Sequence, residues 1–111
     1  MNGSNKTIPV AHAAITLEDG KMLILEYSLR CLTGPEGEEL YGLRVDMRSP
    51  NGMLIEREET AALTGSQNEA MALAKVFAEG TVPPCVLLEM VEEWHGTYIT
   101  EAYKQDSIAG F

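Results

Sequence analysis

This chain has no long apolar run, no cluster of basic residues and no cysteine motif, and each absence argues against a class of function. Its apolar stretches fall well short of the ~20 residues that a membrane-spanning helix needs. The 8 Lys and Arg are scattered singly against 17 acids, for a formal net charge of −9. Clustered basic side chains are what hold phosphate backbones and anionic lipid surfaces, so neither nucleic acid nor a membrane is the expected partner. Cys31 and Cys85 are the only cysteines, without CxxC spacing or a histidine beside them to complete a zinc site. Sequence alone leaves a disulfide between them open. Met1–Thr7 is polar, and the apolar run behind it is broken by Pro9 and His12, unlike a signal peptide. The expectation is a cytoplasmic protein with two reduced thiols.

What the chain does have is clear boundary signalling in Gly65–Gly96. Ser66 followed by Glu69 is a capping box, the hydroxyl accepting from the amide of Glu69 and the carboxylate reaching back to the amide of Ser66. Ala70, Leu73, Ala74 and Phe77 recur as one stripe of a helix. Gly80 is placed to end it in the left-handed conformation. Val82-Pro83-Pro84 forbids immediate continuation, because proline has no amide to donate. A second stripe follows, Leu87, Met90, Val91 and Trp94, ending at His95 and Gly96. Both helices need an apolar surface to cover.

The first half supplies it. Ala11, Ala13, Ile15 and Leu17 share one face of a light strand, with Pro9 best accommodated at its start or on a sheet edge. Asp19-Gly20 marks a tight hairpin with two positive-φ residues. Leu23, Leu25, Tyr27, Leu29 and Cys31 then alternate with Ile24, Glu26, Ser28 and Arg30. A loop at Gly34–Glu38 leads to a third strand, where Tyr41, Leu43, Val45 and Met47 alternate with Gly42, Arg44, Asp46 and Arg48. After Asn51-Gly52, Met53–Glu59 returns as a charged, poorly alternating edge strand. The expected fold class is α+β, an antiparallel β-meander of about four strands with two C-terminal helices packed on one face. A single domain spans residues 1–111, its core about residues 8–96. Residues 97–111 form a peripheral tail or a short added strand. Leu25, Tyr27, Leu29, Leu43, Val45, Leu73, Phe77, Leu87, Val91 and Trp94 are the expected core.

Leu40-Tyr41-Gly42-Leu43-Arg44-Val45, together with Val82, Pro84, Leu87, Val91, Glu92 and Trp94, resembles a small bacterial family of domains of unknown function. The resemblance spans Met22–Trp94. That family often carries Ser or Thr just after the linker, where Val86 stands here. The resemblance implies a compact cytoplasmic bacterial protein and carries no reaction with it.

Residue chemistry points the same way. Glu92 and His95 have Glu-x-x-His spacing, yet a di-iron bundle needs a second such pair and further glutamates, and the chain has only 2 His. Cys85 beside a helix N-terminus is a candidate nucleophile. Its neighbours Pro84 and Val86 make a buried, inert thiol the stronger expectation, and Cys31 on a strand's apolar face is expected to be core. No glycine-rich phosphate loop, GxSxG or HExxH occurs. No catalytic residue, metal ligand or cofactor is assigned. The candidate functional surface is the sheet face left open by the helices, with Met22, Ile24, Arg30, Leu40, Arg44 and Arg48 on it. The partner is a protein or a second copy of the chain. The alternative is an enzyme whose site is assembled at an oligomer interface.

Overall fold

The computed structural model describes residues 6–93. Strands β1 (Lys6–Thr16), β2 (Met22–Thr33), β3 (Glu39–Arg48) and β4 (Leu54–Glu59) form one antiparallel sheet in the order β1-β2-β3-β4. Helix α1 (Gln67–Glu79) follows, then a helix α2 described over residues 84–93. Both helices lie against one face of the sheet, as the alternation predicts. Trp94, His95 and residues 97–111 lie outside the described residues.

All three hairpins use the same device. In Leu17–Lys21, Gly34–Glu38 and Ser49–Met53, the fourth residue is a glycine whose amide donates to the carbonyl of the first. Gly20, Gly37 and Gly52 have φ of 87°, 83° and 92°. This is a type I turn closed by a left-handed glycine, with Pro35 and Pro50 at the position where a fixed negative φ suits that turn. Asp19 has no positive φ. The two-residue turn expected at Asp19-Gly20 is therefore replaced by a three-residue one, because type I needs the left-handed conformation only at its closing residue.

Leu25, Tyr27, Leu29, Tyr41, Leu43 and Val45 leave the sheet on the helix side. Ala70, Leu73, Ala74 and Phe77 of α1 meet them, with Val82 from the linker and Leu87 and Val91 from α2. Fully burying a side chain of this size is worth about 1.5–3 kcal/mol, so this layer holds the domain together. The Tyr27 hydroxyl donates to the carbonyl of Val82 at 2.8 Å, tying the sheet's centre to the interhelical linker. Burial pushes the Tyr27 phenol up to about 12.

The ends of α1 differ from expectation in two details. The Ser66 hydroxyl accepts from the Glu69 amide, but the Glu69 carboxylate does not reach the Ser66 amide. Thr64 stands between them, its hydroxyl accepting from the Ser66 amide at 3.0 Å and donating to Glu69 at 2.7 Å. At the other end Gly80 keeps φ −86°, and Thr81 takes the left-handed conformation at φ 49°. The Val82 amide then donates back to Phe77 and the Thr81 amide to Ala78. This pair of bonds needs a left-handed residue one place beyond the cap, and that place belongs to Thr81. The helical residues after the linker begin at Pro84, which suits a first turn because the missing amide would have no partner there.

Candidate functional site

Antiparallel register sorts the open face into rows running across the strands. One row joins Ala14, Ile24, Arg48 and Leu54; the next His12, Glu26, Asp46 and Arg57; the next Pro9, Ser28, Arg44 and Glu59. Beyond them lie Thr7, Arg30 and Gly42, then Leu32 and Leu40. Met22, Ile24, Arg30, Leu40, Arg44 and Arg48, expected together from their alternation, do share this face. Arg30, Arg44, Arg48 and Arg57 are all the arginines the chain possesses. Against them on the face stand Glu26, Asp46 and Glu59, so the patch carries a small positive excess within a chain of net charge −9.

The arginines are held in two groups. Arg57 grips Asp46 with both ends of its guanidinium, Nε to Oδ1 at 2.7 Å and Nη2 to Oδ2 at 3.0 Å. Arg48 bridges the same carboxylate at 3.3 Å to Glu26 at 2.8 Å, and its other nitrogen donates to the Gly52 carbonyl. Asp46 is only 5% exposed although it points away from the core, because these guanidinium stems lie over it. Burial pushes its carboxyl up; the Arg57 hydrogen bond and the charges of Arg57, Arg44 and Arg48 together outweigh that and hold it below the usual range. Contact with Asp46 raises the Arg57 guanidinium in turn.

In the second group Arg44 pairs with Glu59 at 2.8 Å and Arg30 approaches the same carboxylate at 3.7 Å. Arg30 also donates to the carbonyl of Thr60. That carbonyl is within reach because the chain leaves β4 directly over Gly42. A Cβ there would lie 2.6 Å from the Ala61 oxygen and 2.9 Å from Thr60 Oγ1, so only glycine admits the crossing. Thr60, 2% exposed, finishes the ladder with its side chain: Oγ1 accepts from the Leu43 amide at 2.9 Å. Lys6, Thr7, Arg30, Cys31, Leu32, Arg44 and Glu59 surround a shallow cleft of about 160 Å³ here.

The apolar end of the face is exposed. Met22 and Leu54 are 45% and 40% accessible, and Ile24 shares a row with Leu54 across Arg48. Arg57 lies on this face as its alternation predicts, whereas Leu54 is not among the residues the sequence places there. The register shift between Met47 and Arg48 turns Leu54 onto the face, which no spacing in the sequence reveals.

The two thiols are unpaired. Cys31 is half-buried against the core as expected. Cys85 is exposed, contrary to the expectation of an occluded thiol. The buried residues of α2 are Pro84, Leu87 and Val91, so Pro84 takes the inward place and Cys85, about 100° further round, faces out. Met90, expected in the buried stripe, is 37% exposed for a similar reason. Among the described residues no three His, Cys, Asp or Glu side chains are gathered as metal ligands would be.

These elements define an α+β domain with one face of its sheet closed by helices and the other carrying interlocked charge. The chain belongs to a family of unknown function, DUF6514, whose model matches residues 6–97. No curated protein and no solved structure matches it.

Proposed function

We propose that the protein is a non-catalytic interaction module of the bacterial cytoplasm, whose open sheet face docks a protein partner presenting carboxylates around an apolar patch. The observation that carries this is the gathering of every arginine onto the one sheet face the helices leave free, beside Met22, Ile24 and Leu54. Arginine with apolar neighbours is the composition favoured at interface centres, where lysine is disfavoured. The internal pairs orient the guanidiniums in advance, so little side-chain freedom is lost on binding. Two free thiols suit a reducing compartment, and no described helix is long and apolar enough to cross a membrane.

The test is crosslinking of the native protein with mapped contact sites, followed by titration of the purified partner. Crosslinks to β2, β3 and β4 are expected, with affinity falling more than tenfold for Met22→Glu with Leu54→Glu while melting is unchanged. A partner crosslinked to the helices, or one that binds this variant with undiminished affinity, overturns the proposal.

A further inference from the structure

The sheet has two free edges among the described residues, and they are guarded differently. β4 is six residues long, carries Glu56, Arg57, Glu58 and Glu59, and shifts register near its start. Short length, charge and a bulge are what keep a sheet edge from recruiting another strand. β1 is 11 residues long and has such protection only in its first half, where Pro9 lacks a donor and the register slips before Ala11. Ala11–Thr16 pairs with β2 in unbroken register and contains no proline and no formal charge.

We infer that the β1 edge seats a second copy of this chain, the two strands pairing antiparallel across a two-fold axis so that both sheets become one. This goes beyond the reading of the open face and uses a different surface. Charge is the first reason the occupant is a second copy. The first acid in the chain is Glu18, and Lys6 is the only charged side chain before it. Two molecules of net charge −9 repel over most of their surfaces, and β1 is where they approach with least opposition.

The flank of the strand is the second reason. Ala11, His12, Lys75, Ala78 and Glu79 line an open groove of about 340 Å³ between β1 and α1. The charges in the groove, Lys75 and Glu79, are of opposite sign. A two-fold axis therefore offers each an opposite charge in the other copy, as an isologous contact requires. Small side chains at 11, 13 and 14 let the paired strands and their flanking helices come close.

Light scattering of the full chain across a concentration series tests this, read with amide exchange over Ala11–Thr16. The expected result is a dimer, with slowed exchange on the outward half of the β1 amides as it forms. With the axis at Ala13, position 12 stands opposite position 14. His12→Glu with Ala14→Glu then sets like charges face to face, which destabilises a strand pair. Dimer dissociation should rise more than tenfold. Both residues are exposed, so the fold should hold, with only a small melting loss from setting position 12 beside Glu26 of the same chain. Mixing that variant with His12→Lys/Ala14→Lys should restore a dimer that neither forms alone. A wild-type monomer at every concentration overturns the inference, and more so if the outward amides are nonetheless protected, since residues of the chain itself would then occupy the edge. A dimer untouched by the acidic variant overturns it as well, and loss of open-face docking leaves it standing.

Discussion

Leu25, Leu29 and Val45 turn into the helices with no more than 1% exposure, while Glu26, Ser28 and Arg44, each one residue away in sequence, turn the opposite way. One backbone thus presents two surfaces with different stabilising physics. On the helix side the contribution is area removed from water, and it depends on shape matching. On the open side it comes from pairs whose net worth is small where solvent reaches them and larger where it does not. A close-packed layer should lose stability wherever it is truncated. A charged layer should show losses graded by burial.

Four substitutions test that contrast. Phe77→Ala should cost about 3–5 kcal/mol, enough to unfold a domain of ordinary stability; a variant melting with wild type would contradict the packing. Next comes Gly42→Ala, which forces a methyl group onto the Ala61 carbonyl. A loss toward the upper end of about 1–3 kcal/mol is expected in denaturant unfolding. Asp46→Asn follows at about 1.5–3 kcal/mol, the range for hydrogen bonds to charged groups. Its carboxyl titrates below the unfolded value, so its contribution is present above about pH 4 and disappears as pH falls through the folded value. The melting difference between wild type and Asp46→Asn should therefore close in acid, and a gap constant down to pH 2 would sink the assignment. Smallest is Arg44→Gln, whose side chain is 24% exposed and whose partner Glu59 is 34% exposed. It should cost less than about 1 kcal/mol and lose even that at high salt.

The alternation made the two faces legible before any coordinates, since a period of two assigns every residue of β2 and β3 to one side. The helix stripe of α1 was equally legible, because its four inward residues repeat over two full turns. What was hidden depended on phase or register. Asp-Gly and Asn-Gly serve both two-residue turns and the three-residue turns found here, and the difference of one residue decides which side chains stand opposite each other. The pairing of Asp46 with Arg57, and hence the burial of Asp46, could not be read until that register was known. Cys85 was misjudged for a related reason. The apolar spacing of α2 starts its inward stripe at Leu87, whereas Pro84 already occupies it one turn earlier and Cys85 faces solvent. Thr81 rather than Gly80 in the left-handed conformation is a third case, where the glycine signal was right to within one residue.

The uniform hairpins bear on how the chain reaches this state. Each strand lies beside its neighbour in sequence, and each connection closes over a handful of residues, so zipping up the sheet sacrifices little chain entropy at any step. The helices are a different problem. The pairing of Tyr41 with Thr64 delivers the start of α1 to the sheet, but the bond from Tyr27 to Val82 spans 55 residues and α2 must dock across that separation. Contact separation thus favours an order in which the meander pairs first, with Leu25, Leu29, Leu43 and Val45 unshielded, and α2 docks last. Until then, the most apolar surface of the chain is also its least covered, and the fastest route to aggregation opens there rather than at either edge.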